Sequence, residues 1–206
     1  MWLNNVIFKN QVIENERLEF RDKNALYYLG PNLLLRSCTL VLQVPTRRLL
    51  LNGLKLMDCS LEVKRELKDL AWYEAHLKGC RFTGRFLGCD FGNLPEPGLP
   101  HREVGGIEDC DFTAAHLHAC RFVGCDPHTL RFPRWPHFTI LEPFRRRQEF
   151  AAIPWPQALH AWFTTAGTDP ETTAAITFSA AELAQEAGVR EEQIRALLEG
   201  HTDVIL

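Results

Sequence analysis

The chain lacks the features that mark several classes of protein. No apolar run in its 206 residues approaches the ~18 residues needed to span a bilayer. The N-terminus has no basic start followed by a long apolar run and a small-residue cleavage site, so the sequence predicts no signal peptide. We therefore expect a cytoplasmic location.

Residues and motifs for catalysis are also scarce. The chain has only three serines, Ser37, Ser60 and Ser179. The first two occupy equivalent places in a repeat described below, and the third has the position of a helix cap. No glycine-rich phosphate loop and no His-Glu metal helix occurs. We therefore expect a protein that is not an enzyme and that holds no cofactor.

The cysteines do not form a disulfide framework. Their number is odd, and a chain of this length needs no covalent staples. Most of them sit at the same place in the repeat, as small buried apolar residues would. The sequence predicts free thiols for all seven: Cys38, Cys59, Cys80, Cys89, Cys110, Cys120 and Cys125.

A repeat of 21 residues is present instead. The segments 28–40, 49–61 and 70–82 align on one another without gaps, and each contains an apolar-x-apolar triplet every five residues. A fixed period of this kind indicates a solenoid. Since a triplet has period two, its outer residues face one side and its middle residue the other. Four short strands per turn would form a square coil, with triplets starting at Tyr28, Leu33, Cys38, Leu49, Leu54, Cys59, Leu70, Ala75 and Cys80.

The pattern continues less regularly further along the chain. Residues 75–82 recur as residues 115–122, a shift of 40 that we interpret as two turns of 20, and residues 89–91 recur as residues 110–112. His76 and His116 would then occupy equivalent outward positions two coils apart, ~10 Å by the sheet spacing. The proline- and glycine-rich segment 93–106 is expected to leave the coil.

The motif resembles that of the pentapeptide-repeat proteins. Ala or Cys stands two positions before Leu or Phe in Cys38/Leu40, Cys59/Leu61, Ala75/Leu77, Cys80/Phe82, Cys89/Phe91, Cys110/Phe112, Ala115/Leu117 and Cys120/Phe122. The resemblance implies a mainly β fold, a right-handed parallel β-helix, over residues 1–140. The family's preferred Asp or Asn at the middle position occurs only as Asp90 and Asp111, so the repeat is degenerate. A β-sandwich with Leu-rich strands is the alternative, although it would not require a 21-residue register.

The C-terminal third has a different character. Residues 141–156 are interpreted as a Pro/Trp-rich linker and cap, and residues 157–206 as a small α-helical module. Helices are predicted over 157–166, from a Ser179 cap with Glu182 to Gly188, and over 191–199. Their inner faces would carry Leu183, Ala184, Ala187, Ile194, Leu197 and Leu198.

Nucleic acid and zinc are two possible ligands. The charge of the C-terminal residues bears on the first, and the direction in which the side chains face bears on the second. The last two helices have helix-turn-helix spacing, but residues 141–206 contain 5 basic and 10 acidic side chains, and Glu191 and Glu192 open the second helix. Carboxylates there would repel phosphate, so nucleic acid is not expected. Zinc at Cys110, His116, His118, Cys120 and Cys125 is also not expected, because the thiols would face inward and His116 outward.

Three basic clusters are the candidate partner-binding residues. The first two fall in successive eleven-residue steps of the repeat, so they should stack at one corner. Protection of strand edges by charge is the alternative role. The clusters comprise Arg47, Arg48, Lys64, Arg65, Arg145, Arg146 and Arg147.

We expect a non-catalytic scaffold that binds another protein, in the concrete form of a bacterial immunity protein that neutralises a cognate toxin. The resemblance also implies a gyrase-protecting DNA mimic as an alternative. Residues 1–140 contain 18 basic and 16 acidic side chains, which is too little negative charge to imitate a duplex. A DNA-associated adaptor that uses the helix-turn-helix-like tail is a further alternative.

Overall fold

Short apolar strands joined by tight corners form the larger part of the structure. The computed structural model describes residues 4–94, 105–164 and 170–206. Up to about residue 132 the chain winds as a β-solenoid, in which strands pair in parallel with strands of the neighbouring coils. The predicted mainly β solenoid is confirmed.

Each coil passes through three or four sides. The first side carries β1 (Asn4–Phe8), β4 (Ala25–Leu29), β7 (Leu49–Leu51), β13 (Asp90–Gly92) and β16 (Cys120–Val123). The second side carries β2 (Gln11–Glu14), β5 (Leu33–Arg36), β8 (Leu54–Met57), β11 (Ala75–Lys78) and β14 (Gly106–Glu108). The third carries β3 (Arg17–Phe20), β6 (Thr39–Leu42), β9 (Ser60–Val63) and the starts of β12 (Arg81–Leu87) and β15 (Asp111–His118).

The fourth side changes along the solenoid. In the second coil it is a 3-10 turn, Thr46–Arg48, and from the third coil onward it is β10 (Leu67–Lys68) followed by the ends of β12 and β15. The bend of β12 between its third and fourth sides requires glycine at Gly84. Its φ is +100°, and a Cβ there would lie 2.0 Å from the carbonyl oxygen of Val63.

The corner between the second and third sides explains four of the cysteines, Cys38, Cys59, Cys80 and Cys110. The residue before each corner cysteine has positive φ, as at Asp58, Gly79 and Asp109. The cysteine then turns inward, and the Cys59 thiol donates to the carbonyl oxygens of Leu35 and Met57 at 3.4 and 3.3 Å. Six of the seven cysteines are buried, as expected, and Cys125 is half-buried.

Two details of the predicted register are wrong. The inward residues of β4 are Tyr27 and Leu29, and Tyr28 faces outward, because β4 and β7 pair with an offset of 22 residues. The offset of 40 does not represent two turns either. His76 pairs with Gly106 on the second side, whereas His116 pairs with Arg85 on the fourth, so His76 and His116 lie on different sides. The segment 93–106 lengthens one coil and shifts the later register; its residues 95–104 lie outside the described residues.

The C-terminal module is mixed rather than purely helical. Its strands β17 (His137–Leu141), β18 (Thr173–Ser179) and β19 (Val204–Ile205) form an antiparallel sheet, and β18 also pairs with β16 of the solenoid. Its helices are α1 (Arg147–Ala152), α2 (His160–Thr164), α3 (Ala180–Ala187) and α4 (Glu191–Leu198), with a 3-10 turn at Gln157–Leu159. Two further 3-10 turns, Trp72–Glu74 and Pro127–Thr129, belong to the solenoid.

This module has a hydrophobic core of its own. Trp155 stacks on Phe163 at 3.8 Å between ring centroids, beside the buried Phe138 and Phe178. The predicted inner residues Leu183, Ala184, Ile194 and Leu198 are buried, and Ala187 and Leu197 pack against them. No helix among the described residues is long and apolar enough to cross a membrane.

Candidate functional site at the junction of solenoid and module

The first two basic clusters lie together on the fourth side. The backbone N–H of Lys64 donates to the carbonyl oxygen of Leu42, and that of Lys68 donates to the Thr46 hydroxyl oxygen at 2.9 Å. The segment 64–68 therefore runs beside the turn that holds Arg47 and Arg48. The two corners are therefore neighbours, although Lys64 and Arg65 lie beside Leu42 and Gln43 rather than beside Arg47 and Arg48.

The third basic cluster is paired within the module. Arg145 binds Glu142 at 2.7 Å, and Arg146 forms ion pairs with Glu149 and Asp203. Arg147 lies over the ring of Phe144 at 4.5 Å. Every ion-pair partner found for this cluster among the described residues lies in the C-terminal region, so these arginines hold the module together and do not extend the basic surface of the fourth side.

The fourth side leads into a cleft of about 870 Å³ where the solenoid meets the module. The cleft has the ends of β10 and β12 on one wall and α2 and α3 on the other. Its lining mixes apolar and charged groups, among them Lys68, Leu87, His118, Trp162, Phe178 and Glu186. A cleft of this size and composition can take an inserted side chain or a short segment of a partner.

A hydrogen-bonded network joins the two walls behind the cleft. His116 Nε2 lies 2.5 Å from Glu182 Oε1, and Arg85 Nη2 lies 2.8 Å from the same oxygen. Since a carboxylate only accepts, His116 donates through Nε2. The other ring nitrogen of His116, Nδ1, lies 3.2 Å from His137 Nε2. Arg85 also binds Glu66 at 3.2 Å, which extends the network to the rim.

A second histidine connection runs through the helix cap. The Ser179 hydroxyl accepts from the Glu182 N–H at 3.3 Å, as the predicted cap requires. The Glu182 side chain does not return to the Ser179 N–H, because it is held by His116 and Arg85. The Ser179 N–H donates instead to His118 Nδ1 at 3.2 Å. Only one of the two hydrogen bonds of a capping box therefore forms, and the Ser179 N–H instead binds helix α3 to β15 of the solenoid.

Burial keeps two of these imidazoles neutral. Burial, and then the neighbouring His116, lower the pKa of His137 to about 4. Burial lowers the pKa of His118 as well, against the attraction of Glu182. Partial burial by itself would raise the pKa of Glu182, but its hydrogen bond to His116 and the charges around it hold that pKa below its usual value. At neutral pH the Glu182 side chain is therefore an ionised carboxylate that accepts hydrogen bonds from protein groups.

The polar groups that face the cleft differ in whether they have a hydrogen-bond or ion-pair partner. Trp162 is 39% exposed, and its indole N–H donates to Glu186. Arg121 binds Asp90 through both oxygens, at 2.7 and 2.8 Å. Lys68 is exposed, and no carboxylate among the described residues pairs with it. An accessible indole beside an unpaired ammonium group can anchor a partner.

The hydroxyl and thiol groups near the junction have structural roles. Ser179 is fully buried and its hydroxyl is used as a cap. The core cysteine thiols face inward and His116 faces outward, as the sequence predicted. Within residues 4–94, 105–164 and 170–206, no group of three His, Cys, Asp or Glu side chains could hold a metal ion.

The tail resembles a DNA reader only in its spacing. Helix α3 ends at Gly188 with φ of +64°, and α4 begins after Arg190, as predicted. However, Arg195 lies over the ring of Trp135 at 5.4 Å and pairs with Glu199 at 3.2 Å. The Arg190 N–H donates to Gln193. The Arg195 side chain is therefore used within the module, whereas Arg190 contributes only its backbone N–H to these contacts.

Sequence reasoning found only part of this site. It placed His116 outside the solenoid but did not connect it to Glu182, 66 residues later in the chain. It also gave no role to Lys68, His137 or Trp162. The one available signal was the pair of outward histidines, His116 and His118, near the end of the repeat.

Known proteins do not identify the site. No family model matches the chain, and neither the curated proteins nor the solved structures contain a significant match. The chain is therefore characterised by its own geometry, as a β-solenoid whose fourth side opens into a cleft formed with a C-terminal module.

Proposed function

We propose that this chain is a non-catalytic protein-binding scaffold that acts as a bacterial immunity protein and neutralises a cognate toxin by direct, stoichiometric binding. Its solenoid would be a degenerate member of the pentapeptide-repeat class, in view of the Ala/Cys and Leu/Phe pairs in the sequence. The observation that carries the proposal is the cleft between the fourth side and the module.

The cleft has the composition of a protein interface. It offers an exposed indole at Trp162, an apolar floor at Phe178 and an unpaired cation at Lys68. Aromatic anchors in partly enclosed pockets carry much of the binding energy in protein complexes. The polar groups behind the floor are already bonded to one another through Glu182, so a partner would meet a rigid surface.

The surface that leads to the cleft suggests the charge of the partner. Arg47, Arg48, Lys64 and Arg65 lie along the same side as Lys68. Lys64 is paired with Glu62 at 3.0 Å, and no ion pair joins Arg47 or Arg65 to another described residue. Complementarity of charge speeds association and selects partners. We infer that the bound segment of the partner carries carboxylates around an apolar or aromatic side chain.

The two alternatives receive less support from these contacts. A DNA-associated adaptor would need free cations on α4, whereas Arg195 is held by Trp135 and Glu199. A DNA mimic for gyrase would need a strongly negative solenoid, whereas residues 1–140 hold 18 basic and 16 acidic side chains. Supercoiling assays with a fluoroquinolone and DNA retention at low salt are the direct tests, and we expect no effect in either.

The proposal is tested with the product of the neighbouring gene. It should be toxic when expressed alone, harmless when this chain is present, and recovered with it in equal amounts. Trp162→Ala and Lys68→Glu should each weaken the complex about tenfold or more. Leu50→Ala and Lys55→Glu are the matched controls, because these exposed residues lie on the first and second sides. A neighbour that is harmless alone, or a complex that responds equally to the control variants, would contradict the proposal.

A further inference from the structure

The two ends of the solenoid are finished differently. At the C-terminal end the edge of β16 is covered by β18, which pairs with it antiparallel from Cys120 to Val123. At the N-terminal end β1, β2 and β3 each pair only with the next coil, and no strand in the described residues pairs with their outer edges. Within the part of the chain that the structure describes, the first coil therefore has three unpaired strand edges.

The first coil is also less buried than the coils behind it. Val12 and Ile7 are 60% and 53% exposed. The inward residues Val6, Phe8, Ile13 and Leu18 are only half-buried. Their counterparts one coil later are at most 5% exposed: Tyr27, Leu29, Leu35 and Leu40. An open edge with exposed apolar residues is a site for pairing with another chain.

We propose that the first coil is the interface of a symmetric homodimer, in which two copies pack N-terminal end to N-terminal end. The far end of a second copy does not offer a matching set of three edges, because β18 covers the edge of β16 there. The contact that uses all three edges of the first coil is therefore with another first coil, and it closes about a two-fold axis. This proposal does not depend on the toxin-binding cleft, which lies at the opposite end.

The order of strands in the first coil suits such an axis. A two-fold axis through the second side pairs β2 with its own mate, and it pairs β1 of each copy with β3 of the other. All three pairs are antiparallel, as in the contact of β18 with β16. The remaining side of the coil, residues 21–24, holds no strand, so no strand is left unmatched.

In this arrangement the apolar inward residues of one first coil face those of the other. When Ile13 faces Ile13 of the second copy, Phe8 faces Leu18 and Val6 faces Phe20. All of these side chains are inward residues of their strands, so both cores become continuous across the interface. A register shifted by one residue would set inward residues against outward ones.

Charge in the first coil allows self-association. Its basic residues are Lys9, Arg17, Arg21 and Lys23, and its acidic residues are Glu14, Glu16, Glu19 and Asp22. Because the coil has no net charge, two copies do not repel each other. In the proposed register Val12 lies opposite Glu14 on the outer surface, and this pairing sets up the test.

The experiment is sedimentation velocity of the full chain over a dilution series, for the parent protein, Val12→Glu and Val12→Lys. The parent protein should be a dimer that dissociates on dilution. Val12→Glu sets two carboxylate pairs against each other across the two-fold and should raise the dimer Kd about tenfold or more. Val12→Lys creates two attractive pairs and should leave the Kd within about threefold or lower it.

Several results would overturn the dimer. A parent protein that is monomeric at every concentration would do so, as would a dimer that Val12→Glu leaves intact. Equal weakening by both variants would exclude the proposed register. Folding is not at issue, since Val12 is 60% exposed, and thermal unfolding of both variants checks this. Amide exchange gives a second measurement: dimer formation should protect β1–β3, and protection confined to another region would place the contact elsewhere.

Discussion

The solenoid and the C-terminal module solve the same problem in different ways. The solenoid buries one column of Leu, Phe and Cys by repeating a unit that contacts only its neighbours. The module buries a separate core by bringing together residues far apart in sequence, such as Phe138, Phe163 and Leu198. The comparison shows that a repeat can be recognised from its sequence, whereas a core built from residues far apart in sequence can be recognised only in three dimensions.

The largest expected effect breaks the solenoid at its centre. Phe82 is fully buried and stacks on Phe112 at 4.3 Å between centroids, with edge contacts to Trp72, Phe86 and Phe91. Phe82→Ala should cost about 4 kcal/mol of unfolding free energy because of the cavity it leaves. Urea denaturation measures the loss. Phe138→Ala in the module is the matched variant. Amide exchange should show that its loss of stability is confined to the module.

A pH titration separates the junction from both cores. The pKa of His137 is lowered to about 4 in the folded state, against ~6.5 when unfolded, so the unfolded chain binds the extra proton. Stability should be full above pH ~6.5 and fall by about 3 kcal/mol toward pH 4. Glu182, whose pKa is also lowered, should add to the loss only below pH ~4.5.

The control for this titration is His137→Asn. This variant should be less stable at pH 7 but should show a flatter profile between pH 6.5 and 4.5. The elements packed around His137 also carry three other titratable groups, His116, His118 and Glu182. Among these, His118 is a histidine whose pKa is also lowered. A profile that is unchanged in the variant would assign the pH dependence to His118 instead.

The next effect loosens the module from the solenoid. Glu182→Gln keeps the shape of the side chain but removes the charge that His116 and Arg85 bind at 2.5 and 2.8 Å. We expect a loss of about 2 kcal/mol, because hydrogen bonds to a charged group are replaced by weaker ones. Faster amide exchange in α3 and β18, without a change in β5 or β8, would locate the loss at the junction. Glu186→Gln is the control, since among the described residues the hydrogen-bond donor to Glu186 is the exposed Trp162 indole.

The smallest effect concerns the cap of α3. Ser179→Ala removes the oxygen that accepts the Glu182 N–H and should cost about 1 kcal/mol. Ser60→Ala, on the outer surface of the third side, should have almost no effect on the same thermal unfolding measurement. Equal losses in the two variants would mean that the cap does not stabilise α3.

The regular part of the fold was predictable because its contacts are periodic. Cys38, Cys59 and Cys80 each follow a corner residue and turn inward, and their spacing of 21 residues is the coil itself. The prediction went wrong where periodicity ended. Residues 75–82 and 115–122 are similar in sequence but lie on different sides, because the coil that contains residues 93–106 has more residues than the earlier coils.

The candidate site was predictable only in fragments. The closeness of the corners at Arg47 and Lys64 followed from the repeat, and so did the outward position of His116. The paired state of Arg145 and Arg146 did not, because their partners Glu142, Glu149 and Asp203 are brought to them by the fold of the module. β18 was also missed, since its sequence, Thr173–Ser179, has no triplet and needs β16 and β17 as partners.

The sequence by itself determined the coil, because an apolar-x-apolar triplet with a tight corner specifies which side chains face inward wherever it occurs. Only the tertiary structure decided the junction. His116, His137 and Glu182 come from three separate elements, and their hydrogen bonds exist because β18 pairs with β16 and carries α3 to the fourth side. Local patterns encode local burial, whereas the meeting of distant polar groups depends on how the completed elements pack.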